Sequence, residues 1–81
     1  MRKIRFLSYI AKTIGVKELD IPDELSSVSE ILDFLYSTYP VMKDKISDLM
    51  VLMGEKTLIL SKDMDLKVTD DLHITPIIAG G

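Results

Sequence analysis

Apolar and polar residues alternate from Lys3 through Ile4, Arg5 and Phe6 to Ile10, the period of a strand with one buried face. Ala11 to Gly15 breaks the alternation and predicts a single helical turn closed by glycine. Val16 to Ile21 alternates again and predicts a second strand. Pro22 ends it, because proline has no N–H to give a ladder. Ser27-Val28-Ser29-Glu30 is a capping box, in which the serine hydroxyl and the glutamate carboxylate each serve the other's backbone amide. Behind it Val28, Ile31, Leu32, Leu35 and Tyr39 recur at helical spacing on one face. Pro40 stops this helix near Tyr39 by disfavouring helical geometry in the residue before it. Met42 to Ser47 predicts a second, shorter helix. Leu49–Met53 and Lys56–Leu60 flank Gly54-Glu55, a two-residue hairpin turn with glycine first. Ser61 to Asp71 is a polar connection interrupted by Met64, Leu66 and Val68. Leu72 to Ile78 predicts the last strand, in which Pro76 needs solvent, a bulge or a gap beside it.

One amphipathic helix in a chain of strands must cover one face of their sheet, which makes the fold α+β. Alternation places Ile4, Phe6, Leu58, Leu60 and Ile74 toward the helix and Leu7, Ile59, Thr75 and Ile77 on the opposite face. An apolar face with no helix of its own to cover it is a candidate docking surface.

With 81 residues the chain holds one domain, and its core is too small to enclose a large cofactor. A net charge of −3 argues against nucleic acid as a partner. Its one basic cluster, Arg2, Lys3 and Arg5, reads as the solvated face of a strand. The absence of cysteine excludes disulfides, thiolate metal sites and a cysteine nucleophile. The single histidine, His73, cannot build a metal site alone and reads as a surface strand residue. Asp63, Asp65, Asp70 and Asp71 lack the glycine and closing glutamate of a calcium loop and read as solvated acids. Tyr36 and Tyr39 read as covers of the core edge, and the five methionines as gap-fillers. No apolar run is long enough to span a membrane, and no signal peptide opens the chain, so the expected compartment is the cytoplasm. No serine lies in a nucleophile motif. The chain is expected to bind no metal or cofactor and not to catalyse a reaction alone.

The sequence closes on Gly80-Gly81, directly after the apolar strand and Ile78-Ala79. Glycines lack side chains and can thread a channel too narrow for other residues. The arrangement divides the chain into a globular part, 1–77, and a flexible diglycine tail, 78–81, whose terminal carboxylate is a candidate reactive group.

Four stretches carry a resemblance that spans nearly the whole chain. They are Ile4-Arg5-Phe6-Leu7-Ser8 with Ala11-Lys12-Thr13-Ile14-Gly15, the Ser27-capped helix, Val51-Leu52-Met53-Gly54-Glu55-Lys56, and Asp70-Asp71-Leu72-His73-Ile74-Thr75-Pro76-Ile77-Ile78-Ala79-Gly80-Gly81. Together they resemble the β-grasp, ubiquitin-like sulfur carriers, and in particular the MoaD-type small subunit of molybdopterin synthase. The sequence departs from that pattern at Met53, where the hairpin often has Asn, and at Ile74 and Thr75, where aromatic residues are frequent. The resemblance implies a mixed sheet of about four to five strands with one main helix packed across one face. It implies that an E1-like adenylating enzyme of the MoeB type, using ATP and magnesium, activates the Gly81 carboxylate for conversion to a thiocarboxylate. Gly80 would give access to the partner's active site. A MoaE-type large subunit would then direct the sulfur onto a pterin in molybdenum cofactor synthesis. Leu7, Ile59, Thr75, Ile77, Ile78 and Ala79 are the expected partner-binding residues. Three other readings stay open: a ubiquitin-like modifier joined to lysines through Gly81, a carrier for thiamin thiazole, and an interaction module with an inert tail.

Overall fold

The computed structural model describes residues 1–77. Strand β1 (Lys3–Phe6) leads into helix α1 (Tyr9–Ile14), strand β2 (Glu18–Asp20) and the main helix α2 (Val28–Thr38). A short helix α3 (Val41–Lys45) and a 3-10 turn (Ile46–Asp48) follow, then strands β3 (Leu49–Met53) and β4 (Lys56–Leu58), helix α4 (Leu60–Asp63) and strand β5 (Leu72–Pro76). The five strands form one mixed sheet in the order β2-β1-β5-β3-β4. β1 and β5 run parallel at its centre, with Phe6 opposite Ile74, and the other pairs are antiparallel.

The core lies between α2 and one sheet face. Val28, Ile31, Leu32 and Leu35 of α2 join Ile4, Phe6, Val51, Leu58, Leu72 and Ile74 of the strands in a single cluster. The α2 residues, Ile4, Phe6, Leu58 and Ile74 are positions that the two sequence periods assign inward. Each large aliphatic side chain so buried contributes about 1.5–3 kcal/mol relative to leaving it in water. Tyr36 and Tyr39 pack half-buried against the cluster edge.

The capping box forms as expected. The Glu30 N–H donates to Ser27 Oγ at 3.1 Å, and Glu30 Oε1 accepts from the Ser27 N–H at 3.0 Å and the Ser26 N–H at 3.1 Å. The other free amides of the first turn find unexpected partners. The Val28 N–H donates to the Leu66 carbonyl at 3.0 Å and the Ser29 N–H to the Met64 carbonyl at 2.9 Å. The polar connection before β5 is therefore a strap that caps α2 with its own backbone. Tyr39 closes the other end, its N–H donating to the Leu35 carbonyl at 2.8 Å, and Pro40 follows.

Arg2 corrects the reading of the basic cluster as wholly solvated. Its guanidinium donates to the carbonyls of Val68 at 2.9 Å, Pro22 at 3.1 Å and Leu25 at 2.6 Å. It pins the strap to the loop that leads into α2.

Several element ends differ from the expectation; β2 is shorter, Glu18–Asp20 instead of Val16–Ile21, and α1 opens at Tyr9. The first strand stops at Phe6 because Ser8 turns the chain through a positive φ of 58° into α1, which carries Ile10 into the core. The fourth strand stops at Leu58; Leu60 opens α4 instead, yet still packs half-buried against the core. The last strand stops at Pro76, and Ile78, placed on it by the sequence, lies outside the described residues.

Two carboxylates titrate below their ordinary range. Hydrogen bonds from the Ser27 and Ser26 amides, then from their hydroxyls, lower the Glu30 pKa. The Lys3 N–H, donating to Asp71 Oδ1 at 2.8 Å, lowers that of Asp71, with Arg5 adding to the effect. A carboxylate whose pKa is depressed on folding stabilises the fold above its unfolded pKa and loses that contribution as pH falls through its folded pKa. Tm is therefore expected to hold from neutral pH down to near the ordinary values of 4.5 for Glu30 and 3.8 for Asp71, and to drop below them. Thermal melts of wild type, Glu30→Gln and Asp71→Asn across this range check it; both variants should show a shallower acid limb.

Candidate functional site

The sheet face away from α2 is built from two registered rows. The first runs Glu18, Arg5, His73, Leu52 and Thr57 across β2, β1, β5, β3 and β4. In the second, Thr75 stands opposite Met50. The β3–β4 register extended by one residue sets Ile59 beside Met50 on one side. On the other side Leu7, whose N–H donates to the Ile74 carbonyl at 2.9 Å, follows Phe6 beside Thr75. The structure thus brings Leu7, Thr75 and Ile59 into one row and sets Ile77 just beyond it. Leu7, Ile59 and Ile77 are 41%, 51% and 50% exposed, far above core values.

Met50 completes the row at its centre, and Leu52 continues it into the first row; both are half-buried. The sequence reading missed them. Their signal lay in the alternation of Leu49, Val51 and Met53 toward the core, but an unbroken apolar run does not say which of its two faces is inward.

The face divides by chemistry. On its β1–β2 side Lys3 Nζ pairs with Asp20 at 2.9 Å and Glu18 at 3.3 Å, and Arg5 pairs with Glu18 at 2.7 Å and Asp71 at 3.5 Å. The hydrogen bonds that Lys3 Nζ donates to Asp20 and Glu18 hold its pKa above the ordinary value. Exposed pairs of this kind add little stability. They gather the charge of this face on its β1–β2 side, away from the row of Leu7, Met50 and Ile59.

The parallel pairing of β1 and β5 points both strand ends at the same pole of the sheet. There the Ile77 N–H donates to the Asp48 carbonyl at 3.2 Å, which fastens the chain at the rim of the apolar row. Ile78, Ala79, Gly80 and Gly81, the remaining expected site residues, lie outside the described residues.

Three of the acids weighed for calcium, Asp63, Asp70 and Asp71, accept backbone N–H groups. Asp63 Oδ2 accepts the Ile59 N–H at 2.8 Å, and Asp70 Oδ1 accepts the Asp71 N–H at 2.7 Å. Among the described residues no group of three or more His, Cys, Asp or Glu could hold a metal ion. No helix among them is long and apolar enough to cross a membrane. His73 sits half-buried between Arg5 and Leu52 in the first row.

The solved structure of SAMP1 from Haloferax volcanii is similar to this chain, with a TM-score of 0.69 over 99% of this chain and 98% of that one, at 19% sequence identity. The fold is the ubiquitin-like β-grasp. No protein-family model matches the chain, and no curated protein matches it. The fold expectation drawn from the sequence therefore holds, with a five-stranded mixed sheet and α2 across one face.

Proposed function

We propose that the chain is a sulfur carrier whose working group is the Gly81 carboxylate. One observation carries the reading: the central strand of a β-grasp sheet delivers the chain to Ile77, at the rim of an uncovered apolar row, and Ile78-Ala79-Gly80-Gly81 follow it. Four extended residues reach at most ~14 Å. That suffices to enter a partner's active site while Leu7, Met50, Ile59 and Ile77 rest on the partner's surface.

The chemistry follows from the carboxylate. It is a poor acyl donor until its oxygen becomes part of a leaving group. An E1-like adenylating partner supplies this with ATP and magnesium: a carboxylate oxygen attacks the α-phosphorus and pyrophosphate departs. A sulfur nucleophile at the oxidation level of sulfide then attacks the acyl carbon and AMP departs, leaving a thiocarboxylate. With no cysteine in the chain, a persulfide cannot be the alternative carrier. The MoaD-like ending from Asp70 to Gly81 favours a pterin as destination, reached through a MoaE-type large subunit. Thiamin thiazole is the competing sulfur destination.

Intact-mass measurement tests the reading. After incubation with the adenylating enzyme of the same source, ATP and a sulfur donor, the chain should gain the difference between sulfur and oxygen. Lysine conjugates carrying Gly-Gly remnants, without that gain, would replace the proposal with the modifier reading. Neither product would leave an inert module. For the docking row, Ile59→Asp and Ile77→Asp should each weaken binding to the adenylating enzyme about tenfold or more, because each buries a carboxylate in an apolar contact. Titration calorimetry measures it; unchanged affinity in both removes the row as a docking surface.

A further inference from the structure

Just ahead of β5, on the α2 side of the sheet, a small cleft opens between α1 and the 3-10 turn. Ile10 and Leu49, both buried, form its floor, and the exposed Tyr9, Thr13, Lys45 and Asp48 form its rim. Its volume is about 40 Å³, room for about three atoms the size of a water oxygen. An aliphatic floor offers water no hydrogen bond, so the cleft suits the end of an apolar side chain.

The strand register supplies that side chain. Leu49 stands opposite Pro76, and the Ile77 N–H donating to the Asp48 carbonyl carries the antiparallel pairing one residue further. On the other flank β1 runs parallel to β5, the Leu7 N–H donates to the Ile74 carbonyl, and α1 then starts at Tyr9 and packs against β5. A chain leaving Ile77 in strand geometry therefore passes between the two walls of the cleft. Side chains alternate along β5: Leu72 and Ile74 are buried in the core, and Ile77 faces outward beyond the apolar row. Pro76 shares the inward side, half-buried, and Ile78, two residues on, falls on that side as well.

We propose that the Ile78 side chain seats in this cleft and that the seat sets the direction in which the residues after it leave the body. Ile77 and Ile78 then hold opposite faces at the end of the sheet. For the carrier function proposed above, on which the kinetic part of the test rests, Ile78 is a positioning residue. It gives Ala79, Gly80 and Gly81 a fixed origin from which three extended residues reach ~10 Å. The partner then meets a tail already aimed, and has one residue fewer to order.

NMR of the full chain with labelled isoleucine and leucine methyl groups reads the seat with no partner present. NOEs from the Ile78 methyls to those of Ile10 and Leu49 are expected, and Ile78→Ala should lower Tm by about 4 °C. Thr13→Phe, which fills the cleft from an exposed position on its rim, should abolish the Ile78 NOEs. In ATP–pyrophosphate exchange by the adenylating enzyme, both variants should raise the KM for the carrier about tenfold with kcat little changed. Absence of the NOEs from the wild-type chain, an Ile78→Ala melt equal to wild type, or wild-type KM in both variants overturns the proposal and leaves the carrier function standing. NOEs together with no exchange by the wild-type chain would end the carrier reading and leave the seat standing.

Discussion

A chain cut back to Gly80 is expected to lose adenylation by its partner by at least about a hundredfold. Shortening the tail by one residue withdraws the carboxylate by ~3.5 Å. A misplacement of even ~1 Å at a reacting centre can cost about a hundredfold. Extending the chain with residues after Gly81 should be as damaging, because the acyl carbon then sits within an amide. Tm should change little in both, since the core and the hydrogen bonds described above lie within residues 1–77. Pyrophosphate exchange and melting curves measured on the same preparations check the pair of claims. Full activity from an extended, unprocessed chain would end the carrier proposal.

The largest effect on stability is expected at Arg2. Arg2→Ala removes three hydrogen bonds from a cation to backbone carbonyls. At about 1 kcal/mol each, discounted from the usual charged value because the side chain is half in solvent, the loss is about 3 kcal/mol. For a domain of this size that lowers Tm by about 12 °C or more. Arg2→Lys should recover little, because an ammonium lacks the planar fork that reaches three carbonyls at once. A melting temperature within a few degrees of wild type for Arg2→Ala would show that the strap holds without its clasp.

What could be read beforehand, and what could not, divides along a physical line. Side-chain signals were readable. Ser27 and Glu30 announce a helix start, Pro40 its end, Gly54 a hairpin, and the alternation of Leu72, His73, Ile74 and Thr75 a strand. Backbone-to-backbone arrangements were not. The carbonyls of Met64 and Leu66 that cap α2 leave no trace in residue type, so the strap looked like loose polar connection. Arg2 looked like part of a basic strand because its acceptors are carbonyls, which no residue identity reveals. The kink at Ser8 was hidden twice. The position carries serine where its geometry calls for glycine, and Phe6, Ser8 and Ile10 keep the spacing of two that a continuing strand would have. The apolar row was read from alternation except at Met50 and Leu52, where an unbroken apolar run concealed the choice of face.

The parallel pair at the middle of the sheet has a practical corollary. β1 begins and β5 ends at opposite poles, about 16 Å apart along the strands. Met1, 88% exposed, therefore projects from the side remote from the end of β5. An affinity handle, a fluorophore or a sensor-chip tether joined ahead of Met1 leaves the opposite side unobstructed, and every immobilised molecule presents the same face to an incoming enzyme.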